Sequence, residues 1–215
     1  MTAAEKLVPT PQGAARVVVR RARRPVASLV LTHGAGGGID AADLTRIAAD
    51  LPAQGISVSL VEMPWRVLGK RLAPRPALID EAYLAVLGGL RFRTPFVLGG
   101  RSAGARSACR IGASVGAAGV LALSFPLHPP GKPEKSRLPE LAGAGVPTLV
   151  VQGGHDPFGR PEEFPDDVEL AVVPTADHSF KVPKSAPLSQ ADALAIVAEA
   201  TLEWLVRDIV GNPTG

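Results

Sequence analysis

Short, almost uninterrupted apolar runs recur along this chain at residues 29–32, 56–61, 95–98, 120–124, 148–151 and 170–173. They are rich in Val, Leu and Ile and mostly lack period-two polarity, the pattern of strands buried on both faces of a parallel sheet. Residues 41–51, 78–87 and 104–113 read as helices between them. From Gln190 to Val210, the side chains of Leu194, Val197, Ala198, Leu205 and Ile209 fall on one stripe at helical spacing, a core-facing stripe of a final helix. Repeated strand-helix units predict an α/β fold, a mainly parallel sheet with helices on both faces. Val17–Val19 and the run from Pro25 to Leu31 flank Arg20–Arg24, which predicts a hairpin loop and an antiparallel N-terminal edge.

Composition adds bounds. A chain of 215 residues, 46% hydrophobic, can cover one core, and no charge run or low-complexity tract divides it, so residues 1–215 are expected to form a single domain. The net charge of +3 comes from dispersed arginines apart from the cluster at residues 20–24, which the predicted loop leaves solvated. Neither a nucleic-acid nor a membrane partner is expected, and the oligomeric state is left open. The single cysteine, Cys109, excludes an internal disulfide and reads as a small core residue. Residues 1–6 lack the apolar core of a signal peptide and no run of about 18 apolar residues exists, which predicts a soluble, cytoplasmic protein. Residues 211–215 read as a frayed end. Between Ser124 and the strand near Val146 the chain is too short for the several extra helices of a lid, so none is expected.

The chemistry is concentrated after three of the strands. The apolar run at 95–98 leads into Gly100-Arg101-Ser102-Ala103-Gly104 and then a small-residue helix, the setting in which a sharp strand-to-helix turn exposes a strained serine hydroxyl. Gly-x-Ser-x-Gly alone is a weak signal in a chain with 23 glycines. Two later segments strengthen it: a strand followed by Gln152-Gly-Gly-His-Asp156, and a strand followed by Pro174-Thr-Ala-Asp-His178. The order serine, acid, histidine, with each member just past a strand's C-terminal end, is that of the α/β-hydrolase triad. After the strand at 29–32 comes His33-Gly-Ala-Gly-Gly-Gly38, where the amide of Ala35 is expected to join that of Ala103 as an oxyanion hole.

Each of these residues has a plainer reading. Ser102 can end a strand, Asp156 can cap a turn with Pro157, and His178 can be a surface residue. Jointly those readings require a coincidence of order and placement. Gly34-x-Gly36 also suggests a dinucleotide loop with Glu62 on the ribose, but Ile39 occupies the third small-residue position and the reading leaves Ser102, Asp156 and His178 unexplained. Asp166, Asp167 and Asp177 compete with Asp156 for the acid; the first two read as surface loop, and Asp177 adjoins His178 too closely to reach its ring. His33, Gly34, Arg101 and His128 are candidates to line the substrate pocket, although for the two histidines a structural hydrogen bond is the stronger expectation. Arg106, Lys132, Arg160 and Lys181 lie in segments near it; local pairing of such cations is expected ahead of an anionic substrate.

Together, the His33–Gly38 loop, the Gly100–Arg106 elbow, the segment Phe125-Pro-Leu-His-Pro-Pro-Gly-Lys132, and the loops carrying Asp156 and His178 resemble one branch of the α/β-hydrolases. That branch holds the testis-expressed hydrolase-like proteins and a subunit of the non-specific-lethal chromatin complex, and is more distantly similar to dienelactone hydrolases. The resemblance implies a lidless fold with Ser102, Asp156 and His178 at the triad positions. It does not carry over the lactone chemistry, because dienelactone hydrolases have a cysteine where this chain has Ser102. The expected function is a serine hydrolase that cleaves an ester or thioester of a small soluble substrate through an acyl-enzyme, with no cofactor and no metal. The alternative is a catalytically silent interaction module that kept the fold.

Overall fold

The computed structural model describes residues 4–211; residues 212–215 of the expected frayed end lie outside them. Among the described residues eight strands form one sheet: β1 (Ala4–Thr10), β2 (Gly13–Arg20), β3 (Ala27–Thr32), β4 (Ile56–Glu62), β5 (Phe96–Arg101), β6 (Gly119–Leu123), β7 (Thr148–Gly153) and β8 (Glu169–Val173). Their order is β1-β2-β4-β3-β5-β6-β7-β8. From β4 to β8 every neighbouring pair is parallel, whereas β1 with β2 and β2 with β4 are antiparallel.

The helices are α1 (Ala42–Asp50), α2 (Pro64–Val67), α3 (Pro76–Gly88), α4 (Ala103–Ile111), α5 (Leu138–Ala142) and α6 (Gln190–Trp204). One apolar layer packs α1 and α6 against the sheet through Leu44, Ile47, Val197 and Trp204; the opposite layer packs α3, α4 and α5 through Ile79, Tyr83, Ala108 and Leu141. The expected final helix is continuous to Val210, but its last six residues, Leu205–Val210, form wider π-type turns. Cys109 is buried in α4, and burial pushes its thiol up to about 12, so it is inert packing at neutral pH.

The antiparallel edge is present, yet the expected hairpin is not. β2 turns back on β1 through Pro11 and Gln12, and β4 lies between β2 and β3, so Arg20–Arg24 belongs to a crossover rather than a tight loop. The reason is a strand that hydrophobic periodicity cannot register. β1 is an edge strand in which Val8 is the buried side chain, so Ala4-Glu-Lys-Leu looks polar while its backbone completes a full ladder with β2.

Between β6 and β7 the chain makes one 3-10 turn and the five-residue α5. Among the described residues no helical lid stands over the C-terminal ends of β5, β7 and β8. No described helix is long and apolar enough to cross a membrane.

Candidate active site

β5 ends at Arg101 and α4 begins at Ala103, leaving Ser102 alone to make the turn. Its φ of 53° and ψ of −109° put a non-glycine residue in a region that costs about 1–3 kcal/mol and is kept only where the surroundings enforce it. Two glycines enforce it. A Cβ on Gly100 would stand 2.7 Å from the carbonyl carbon of Gly104, and one on Gly104 would stand 2.9 Å from the carbonyl oxygen of His33. Strand and helix therefore approach only because both side chains are missing, which is also why β5 runs on through glycines that look like a strand end.

The hydroxyl of Ser102 lies 2.9 Å from Nε2 of His178, and Nδ1 of His178 lies 2.7 Å from Oδ2 of Asp156. A carboxylate only accepts, so Nδ1–H donates to Asp156 and Nε2 is left to accept the serine proton. Asp156 is fully buried, and its charge is met by two further donors: Gln152 Nε2 at 2.9 Å and the Phe158 amide at 2.8 Å. The Phe158 ring stacks on the His178 imidazole with centroids 4.2 Å apart, fixing the ring plane.

The loop that carries His178 is tied down from β5. Arg101 Nη2 donates to the His178 carbonyl at 2.8 Å, and its Nε faces Oδ2 of Asp43 in α1 at 3.6 Å. That spacing is an ion pair without a hydrogen bond. Burial pushes the Asp43 carboxyl above its usual range, and the Arg101 charge opposes the rise.

A cavity of about 580 Å³ opens over Ser102, walled by the Gly34–Gly37 loop, Ala103, Arg101, Arg106, Arg137, Phe158 and His178, with Pro126 and Ser179 completing the lining. The amides of Ala35 and Ala103 donate to no acceptor among the described residues. Gly34 brings this loop in close, since a Cβ there would lie 3.3 Å from that of Ser102. Two free amides beside the serine at the start of α4 are suited to a developing oxyanion.

Of the candidate lining residues, Gly34 and Arg101 face the cavity; His33 and His128 do not. His33 is buried, with Nδ1 2.8 Å from the Gly34 carbonyl and Nε2 accepting the Met63 amide at 3.0 Å, so it braces the glycine loop against β4. His128 lies between the Pro129 carbonyl at 3.0 Å and the Glu163 carboxylate at 2.7 Å, contacts that raise its pKa. Both are taken up by structural hydrogen bonds. Asp166 and Asp167 are exposed, and Asp177 Oδ1 accepts the amides of Ser179 and Lys181 in its own turn. Glu62, the alternative ribose acid, is paired with Arg16 at 2.8 Å.

The bracing role of His33 has a pH signature. Burial lowers its pKa, because the cation would be desolvated and would set a new N–H against the Met63 amide. Below about 6.5, the ordinary histidine value, the unfolded ring takes a proton that the folded ring still refuses. The unfolded state then binds more protons, and folding stability drops as pH falls. In urea melts from pH 8 to pH 5, His33→Gln should lose less stability on acidification than the wild type. Equal slopes would contradict this role.

Residues 25–206 match the family model for an alpha/beta hydrolase domain. Solved structures agree in fold. An alpha-beta serine hydrolase homologue from Coxiella burnetii superposes with a TM-score of 0.72 at 19% identity, covering 97% of this chain and 98% of that one. An α/β serine hydrolase without a lid from Xanthomonas campestris gives 0.71 at 17% identity, covering 95% of each chain. A dienelactone hydrolase from Anabaena variabilis gives 0.72 at 17% identity, covering 96% and 98%. With the family model spanning most of its length and the strand order and turn geometry described above, the chain belongs to the α/β-hydrolase domain family.

Proposed function

We propose that this protein is a serine hydrolase that transfers an acyl group from a small ester or thioester to water. The observation that carries the reading is the unbroken hydrogen-bonded series from Ser102 through His178 to buried Asp156, beneath an open cavity. His178 Nε2 takes the Ser102 proton as the oxygen attacks the carbonyl carbon. The amides of Ala35 and Ala103 hold the resulting oxyanion, and Asp156 stabilises the imidazolium. His178 then protonates the departing alcohol or thiol. Water attacks the acyl-enzyme with the same base, and Ser102 recovers its proton. The proton exchanged between Ser102 and His178 moves between groups 2.9 Å apart, and the cycle as written calls on no metal or cofactor.

The narrower kinship with the testis-expressed branch is part of the proposal, supported by the Phe125–Lys132 segment, which contributes Pro126 to the cavity wall. A silent interaction module would have no need of a strained serine aligned on a base.

Labelling by a fluorophosphonate probe tests the reading. The probe phosphonylates a serine only when a base activates it, and tandem mass spectrometry should find the adduct on the peptide containing Ser102. Labelling elsewhere, or none on folded protein, would overturn the reading.

A further inference from the structure

The cavity over Ser102 is walled by three arginines, and their charges are not met equally. Arg101 faces Asp43 and the His178 carbonyl. Arg106 is held by both oxygens of Glu140, at 2.7 and 2.6 Å. Glu140 also accepts from Arg110 at 2.8 Å, and Arg110 in turn is gripped by Asp80 at 2.7 Å. On this side of the cavity three cations, Arg106, Arg110 and Arg137, therefore share two carboxylates. Arg137 is the one without an ion pair: no carboxylate among the described residues lies within 4.0 Å of it. Among the described residues its only side-chain hydrogen bond runs from Nη1 to the Pro126 carbonyl at 2.9 Å, leaving Nε and Nη2 uncommitted there. That bond and the Leu127 carbonyl, which accepts the Arg137 amide at 2.7 Å, fix the residue against the cavity wall.

A half-buried, oriented guanidinium with free donors and no carboxylate in contact, Glu140 acting on it only from beyond ion-pair distance, is a receptor for an oxyanion. We propose that the substrate of this site is an ester bearing a carboxylate, and that Arg137 receives the carboxylate while the scissile carbonyl stands at Ser102. The inference rests on the serine-hydrolase reading for its chemistry and on Arg137 for its specificity. Partial burial and the neighbouring Arg106 charge disfavour the cation and lower its pKa, the more distant Glu140 only partly opposes them, and an incoming anion relieves both. The carboxylate belongs to either the acyl or the alcohol part, and both arrangements present the same chemistry to Arg137.

Two ester pairs distinguish these sources. The mono-4-nitrophenyl ester of terephthalic acid and its 4-carbamoyl analogue differ in charge on the acyl side; 4-acetoxybenzoate and 4-acetoxybenzamide differ on the leaving side. In at least one pair the anionic member should be favoured in kcat/KM by about 10-fold, a preference that shrinks with added salt. Arg137→Gln should erase that ratio and Arg137→Lys should restore part of it. A merely structural role for Arg137 would lower both members together and leave the ratio unchanged, and that result would overturn the proposal, as would equal rates for both members of both pairs in the wild type. Binding of 4-acetamidobenzoate against 4-acetamidobenzamide, followed by NMR shifts, needs no turnover. If no ester were cleaved, the hydrolase reading would fall while this arm still judged Arg137. The anion should bind about 10-fold more tightly to the wild type than to Arg137→Gln, and equal binding would dismiss the anion site.

Discussion

Ser102→Ala should, on the proposed mechanism, abolish nearly all hydrolysis of short-chain 4-nitrophenyl esters, lowering kcat/KM by roughly four to six orders of magnitude, as loss of the nucleophile does in Ser-His-Asp enzymes. The effect should be confined to chemistry. Alanine keeps the same backbone strain at φ 53°, and the substitution removes the hydroxyl with its hydrogen bond to His178. The circular dichroism spectrum and the melting temperature should therefore stay close to the wild type. Residual activity should be set by the free amides of Ala35 and Ala103 and by the cavity, which still bind the ester. Undiminished rates in the folded variant would remove Ser102 from the mechanism.

The elements that place this serine were legible because they obey patterns that sequence displays. Buried parallel strands are apolar on both faces, and the runs at 56–61 and 148–151 match the starts of β4 and β7. The elbow was legible through its glycines, whose spacing answers a steric demand. Less visible was anything decided by backbone pairing or side-chain direction. β1 contributes a ladder and little apolar burial, so its sequence resembles a polar leader. Nothing in local sequence says that β4 inserts between β2 and β3, because all three carry short apolar runs that could pair in several orders.

The site shows the same division. Ser102, Asp156 and His178 stand out because each follows a strand, but the residues that orient them do not. Gln152 offered one signal, a polar side chain at the end of the apolar run 149–151, where burial demands a hydrogen-bonding partner. Phe158 lies only two residues past Asp156, yet its stacking on His178 depends on how the turn folds. Asp43 sits in the amphipathic helix α1, where a charged residue normally marks the solvent face; instead it is buried against Arg101. Arg137 falls in the stretch whose shortness argued against a lid, and its meaning comes from Glu140 being occupied by Arg106 and Arg110. Charge balance in three dimensions, not the presence of arginine, singles it out.

Asp156→Asn should lower kcat/KM by about four orders of magnitude while the protein stays folded. The amide group cannot accept at both positions that the carboxylate serves. With its oxygen toward the Phe158 amide, its NH₂ confronts Nδ1 of His178 and favours the tautomer that carries the proton on Nε2. That tautomer presents a donor to Ser102 and cannot act as its base. Even with the ring correctly held, the imidazolium formed during attack would face a neutral partner in a buried setting, where an unmet charge is costly. His178→Ala should be about as damaging as loss of the serine, since it removes the proton acceptor itself. Asp166→Asn and Asp167→Asn should remain within about twofold of the wild type because both side chains are exposed. Asp177→Asn disturbs a turn through the Ser179 and Lys181 amides and should cost less than about tenfold. Initial rates of the five variants, measured alongside their circular dichroism, separate the assignments. If Asp156→Asn kept full activity and one of the other aspartates lost it, the acid would have to be reassigned, and the 2.7 Å contact with His178 would be structural.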